Sequence, residues 1–141
     1  MHSVKLVILF FTIGLFSFDK SVQFDDKWSI EELHKKAALF DSLDHDSTLF
    51  FGKALLKRSK SEENNLLQAY AHDILGNDHY VRYDMSSAIL EYETAMEKQE
   101  RFNAPSSHAL TLYSLGLAYF NQADYQRSIQ YAHRTDSMKP V

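Results

Sequence analysis

The sequence repeats itself at long range, and this restricts the fold more than any single motif. Leu75-Gly76 recurs forty residues on as Leu115-Gly116, with no gap needed in the compared stretch. Ala88 and Ser128 each follow their glycine by twelve residues, and Ala95 and Thr135 lie seven further on. Two of the four glycines in the chain thus share one repeat position. A small residue at such a point lets two helices cross at the short end of the ~8–10 Å interaxial range, and a larger side chain there is expected to force them apart. The repeating unit is therefore read as a pair of amphipathic helices folded back on each other.

Caps and periodicity place the helices. Ser29 and Glu32 form an S-x-x-E capping box that starts the first helix, with Trp28 before it as a staple residue. Leu33, Ala37 and Phe40 space its apolar face. A second helix is expected from Asp46 to Ser59, with Lys53, Lys57, Arg58 and Lys60 toward the negative end of its dipole. A third is expected to begin at Ser61 and reach Gly76, with turn signals at Asn77-Asp78 and Arg82-Tyr83-Asp84. The fourth, Asp84 to Arg101, is the most regular: Met85, Ala88, Ile89, Tyr92, Ala95 and Met96 follow helical spacing. Pro105 cannot continue that helix and suits the start of the next. The last hairpin, Leu112 to Pro140, is expected to turn near Asn121 to Asp124.

These residues resemble the tetratricopeptide repeat (TPR), whose signature runs W-x2-L-G-x2-Y, then A-x3-F, then P. The later copy carries Leu115-Gly116-x-x-Tyr119, Ser128 and Pro140, with Leu112 for the tryptophan and Ala132 for the large residue. The earlier copy carries Leu75-Gly76, Ala88-x-x-x-Tyr92 and Ala95, with His72 for tryptophan, His79 for tyrosine and Glu100 for proline. Ser47, Phe51 and Ala54 mark a degenerate first copy. The resemblance implies an all-α fold of antiparallel helix hairpins stacked as a short right-handed TPR-like solenoid over residues 25–141, in units near 29–60, 61–104 and 105–141. Repeat packing would fall to Leu75, Gly76, Ala88, Tyr92, Ala95, Leu115, Gly116, Tyr119, Ser128 and Pro140. A forty-residue unit exceeds the usual 34, and the extra residues are expected around Arg101 to Ser106.

Residues 1–18 differ from the rest. Lys5 precedes an eleven-residue apolar run, Leu6 to Phe16, closed by Asp19-Lys20. That run is short of the ~20 apolar residues needed to span a bilayer and has the pattern of a secretory signal peptide. Leu15 is bulkier than the cleavage pattern ending at Ser17 prefers, so a retained hydrophobic N-terminal helix is the alternative. The expected location is outside the cytoplasm, periplasmic or in the cell envelope. With no cysteine there is no disulfide framework, no thiolate nucleophile and no lipid acceptor. A net charge of −4 and the lack of a basic stripe argue against a duplex nucleic acid partner.

The resemblance further implies a binding groove along the first helix of each hairpin. It would carry Tyr70, Asp73, Asn77 and Tyr80 in one unit and Leu110, Tyr113, Leu117 and Phe120 in the next. Cochaperones of the family hold a terminal carboxylate with Lys, Arg and Asn; only Asn77 matches, and Asp73 opposes such a clamp. Tyr113, Leu117 and Phe120 either meet a ligand or pack against a neighbouring hairpin. His72 and His79 lie seven residues apart, ~10 Å along a helix, too far for one metal ion to join. His45, between Asp44 and Asp46, reads as a solvated helix start. No phosphate loop, G-x-S-x-G elbow or H-E-x-x-H is present, and no nucleophile stands beside a base. The expectation is a non-catalytic module without metal or cofactor that binds a protein or peptide. A second reading is the sensory part of a membrane-bound transcriptional regulator or histidine kinase, since long repeats behind a signal-like start are similar to the sensor halves of Bacteroidetes-type regulators. A third is a structural adaptor in an envelope complex. The last apolar face of the array, near Met138 to Val141, is expected to be continued, or covered by a partner or another copy.

Overall fold

The computed structural model describes residues 28–41 and 44–138. Their regular structure is all helical: α1 (Ile30–Phe40), α2 (His45–Ser61), α3 (Asn65–Val81), α4 (Met85–Arg101), α5 (Pro105–Asn121) and α6 (Tyr125–Ser137). Each helix packs on the next, and α3 also touches α1 and α5, the first helices of the flanking hairpins. The result is a stack of three antiparallel hairpins. Residues 1–18 and Pro140 lie outside the described residues. Among the described residues no helix is long and apolar enough to cross a membrane.

The regularity comes from the turns. Helices begin at residues 45, 65, 85, 105 and 125, a spacing of 20. From α2 to α5 each has 17 residues, which leaves three for every turn. The middle turn residue is left-handed each time: Glu63 (φ 54°), Tyr83 (62°), Asn103 (53°) and Ala123 (62°). This conformation aims two N–H groups back at the helix end. Glu63 donates to the Lys60 carbonyl and Asn64 to that of Ser59, and the other three turns repeat both bonds. That is the Schellman arrangement, which satisfies carbonyls a helix end would otherwise leave open. The third turn residue then caps the next helix. Asn64, Asp84 and Asp124 accept from the N–H groups of Leu67, Ser87 and Arg127. Ala104 has no side chain to do so, and Pro105 at the helix start removes one donor needing a partner.

Three expectations are corrected here. The forty-residue unit is made of two 17-residue helices and two three-residue turns, so no extra residues are inserted around Arg101 to Ser106. The third helix starts at Asn65, because Asn64 caps it; Ser61 closes α2, its hydroxyl donating to the Arg58 carbonyl at 2.8 Å. Asn77-Asp78 lie inside α3, and the turn is at Arg82 to Asp84. The box at the first helix forms as read: Glu32 N–H donates to Ser29 Oγ at 3.2 Å, and Ser29 N–H to Glu32 Oε2 at 2.8 Å.

Two apolar clusters hold the stack. One joins Ile30, Leu33 and Ala37 of α1 to Ala54 and Leu55 of α2 and Ala71 and Ile74 of α3. The other sets Met85, Ala88, Ile89 and Tyr92 of α4 against Leu115, Ala118 and Tyr119 of α5. Within each hairpin the repeated glycine faces the second helix, but with different consequences. A Cβ on Gly76 would sit 2.6 Å from Tyr92 Cε1. That ring is buried, and its hydroxyl donates to Asn77 Oδ1 at 2.8 Å, so it has no easy retreat. A Cβ on Gly116 would meet the Ser128 carbonyl at 3.6 Å and Tyr131 Cβ at 3.7 Å, ordinary contacts. The room exists because Ala132 stands where Tyr92 stands one repeat earlier.

Alanine at the two glycines should therefore act with opposite signs in urea denaturation. Gly76→Ala is expected to destabilise, since overpacking costs about 1–3 kcal/mol against about 1 kcal/mol gained in helix propensity. Gly116→Ala is expected to stabilise by up to about 1 kcal/mol. At the uncapped turn, Ala104→Asp should add about 0.5–2 kcal/mol, read in the same assay.

Candidate functional site

On α3, the side chains expected to line a groove act instead as joints between helices. The Tyr70 ring stands edge-on to His34 of α1, with centroids 4.5 Å apart. Asn77 Nδ2 donates to both carboxylate oxygens of Asp41, at 3.0 and 3.3 Å, while its Oδ1 holds the Tyr92 hydroxyl. The Tyr80 hydroxyl accepts from Asn121 Nδ2 of α5 at 2.8 Å. Asp73 ties three helices together: Gln99 Nε2 of α4 donates to Oδ2 at 2.7 Å, and Thr111 Oγ1 of α5 to Oδ1 at 2.8 Å.

Asp73 has an unusual titration for a carboxyl group. Burial pushes it up to about 7, against the pull of the bonds from Thr111 and Gln99, and the nearby Asp41 charge adds to the rise. Gln99 Oε1 is buried without a partner.

Forty residues on, the same register on α5 is open. Leu110, Tyr113, Leu117 and Phe120 are 70, 58, 36 and 57% exposed. The equivalents of Asp73 and Tyr80, which reach the next hairpin, are Tyr113 and Phe120, and no described helix lies beyond them. The second helices tell the same story. Met85 and Ile89 of α4 are 8% exposed, and they pack in one cluster with Leu115, Ala118 and Tyr119 of α5. Their equivalents on α6, Tyr125 and Ile129, are 57 and 58% exposed, and α6 has no buried residue. The Phe120 and Tyr125 rings meet edge to face, with centroids 5.5 Å apart, which joins the α5 and α6 patches at the turn.

The cations of α6 are engaged elsewhere. Arg127 lies over the Tyr119 ring, 4.4 Å from its centroid, and its Nε donates to Asp124 Oδ2 at 2.6 Å. Arg134 donates to Glu100 Oε1 of α4 at 2.8 Å. Tyr119 is buried, donates to Glu93 Oε1 at 2.8 Å, and is pushed up to about 12 by that burial and the Glu93 acceptor. The repeat-packing residues Leu75, Ala88, Tyr92, Ala95 and Leu115 are buried, and Ser128 is half-buried under α5.

His72 and His45 are also joints. His72 Nδ1 meets Glu91 Oε2 at 2.6 Å between α3 and α4, and His45 pairs with Asp78, which Arg82 also binds at 2.8 Å. His79 lies 3.4 Å from Asp84. Among the described residues no group of three or more His, Cys, Asp or Glu is placed to hold a metal ion. Tyr125 and Ile129 were missed by sequence reasoning, although shifting Met85 and Ile89 by forty residues points to both.

No family model, curated protein or solved structure matches the chain. The functional reading therefore rests on this surface and its register.

Asp73 gives a pH test of the joint. A carboxyl raised in the folded state contributes stability in full below its unfolded value near ~4, and this is lost as pH rises to about 7. Its contribution to Tm should fall across that window, and Asp73→Asn should flatten the slope. An unchanged slope in the variant would show that the carboxyl is not held as described.

Proposed function

We propose that this chain is a non-catalytic interaction module of TPR type that binds a protein or peptide through the exposed side of its last hairpin. The supporting observation is the continuous surface of Leu110, Tyr113, Leu117 and Phe120 on α5 with Tyr125 and Ile129 on α6. Apolar patches beyond a few hundred Å² mark contact sites on folded proteins. Aromatic side chains in such patches supply most of the binding energy, because they bury large rigid areas. Tyr113 and Phe120 are the anchors in this reading. The α3 part of the expected groove contributes little, since Asp73 and Asn77 already have partners inside the stack. Placement outside the cytoplasm rests on the sequence pattern of residues 1–18.

The test is affinity capture from a cell-envelope extract with the tagged protein and its Tyr113→Ala/Phe120→Ala variant. Capture of a specific protein should weaken by about tenfold or more in the variant, with the far-UV circular dichroism unchanged. Collapse of helicity would assign both residues to the core and remove the proposed surface.

A further inference from the structure

We infer that the open α5–α6 face is a self-association surface, seated on the same face of a second copy about a twofold axis. The inference rests on the interaction-module reading and names its partner. Register defines what the seat accepts. One repeat earlier, the α4 face of Met85 and Ile89 is covered by an antiparallel hairpin through the apolar side of α5. By the same rule a layer above Tyr125 and Ile129 would offer a helix with an uncharged apolar side, and the α5–α6 hairpin of another copy offers Leu110, Tyr113, Leu117 and Phe120.

Three observations favour this occupant. The six side chains leave on the order of 600 Å² uncovered, most of the roughly 800 Å² per partner that a stable dimer buries. The patch holds no lysine or arginine, because Arg127 and Arg134 are turned to Tyr119 and Glu100, and Asp136 stands at the register position of Met96. Two copies can then meet without cationic repulsion. Head-to-tail stacking is less favourable: among the described residues at the other end, α1 exposes Glu31, Glu32 and Lys35 beside Ala38 and Leu39. An isologous contact closes on itself and buries the apolar edge in both copies, whereas a heterologous one would leave it free to propagate.

Sedimentation velocity of the full chain across a concentration series tests this. The wild type and a Leu66→Glu control, altered on α3 outside the face, should sediment at about twice the mass of one chain. Tyr125→Glu/Ile129→Glu should sediment as a monomer with unchanged circular dichroism. Should that variant lose helicity, Tyr125→Gln/Ile129→Gln is read in its place and should raise the dissociation constant at least tenfold. A monomeric wild type overturns the inference, as does a dimer that persists in the folded variants, which would place the contact elsewhere. A monomeric wild type that still captures a protein through Tyr113 and Phe120 would leave the module reading intact while removing self-pairing.

Discussion

The left-handed residue at the centre of each turn is the constraint on which the stack depends. Glu63, Tyr83, Asn103 and Ala123 accept a conformation that costs an L-residue roughly 1–2 kcal/mol. In return, two carbonyls of the finished helix are satisfied, and the next residue is positioned to cap the helix that follows. One residue thus belongs to two helices at once. Because every turn has the same length, each helix enters at the same phase, and equivalent side chains recur forty residues apart. Without that phasing, Tyr92 and Ala132 would not face Gly76 and Gly116 in turn.

Layering follows from this register. Each hairpin is incomplete alone: the second helix presents an apolar side that the first helix of the next hairpin covers, as Leu115, Ala118 and Tyr119 cover Met85 and Ile89. Polar joints lie beside these contacts and fix their alignment. Asp73 reaches α4 and α5, Asn77 ties Asp41 to Tyr92, and the pairs of His72 with Glu91 and His45 with Asp78 link neighbouring helices. Polar groups taken partly out of water cost desolvation that only well-placed partners offset, so they favour one alignment over nearby ones. The same logic makes α6 the open edge. Its Tyr125 and Ile129 repeat Met85 and Ile89 of α4, but no described helix covers them, and the exposed surface is a consequence of the packing rule.

Much of this was legible in the sequence, for identifiable reasons. Ser29 with Glu32 marked a real box, Pro105 a real helix start, and the periodicity of Met85 to Met96 a real buried stripe. The glycine pair gave the forty-residue unit. The turn after α2 was hidden because its left-handed position holds glutamate instead of glycine, which removed the usual signal. Asn64, Asp84 and Asp124, all on a twenty-residue spacing, carried the missing information. The joints made by the α3 residues are not legible locally, because their partners, Gln99, Asp41, Thr111 and Asn121, lie 26 to 41 residues away in the chain, and no local pattern announces them. Equivalence of position also did not guarantee equivalence of need: glycine is required beside Tyr92 and optional beside Ala132.

Native-state hydrogen exchange, at a concentration where sedimentation finds a single chain, tests the layering most directly. Helices covered on both sides open only with the whole stack, while an edge helix opens locally. The account predicts that amides of α3 and α4 exchange slowest and those of α6 fastest among α2 to α6. Protection of α6 equal to that of α3 and α4 in the monomer would contradict it.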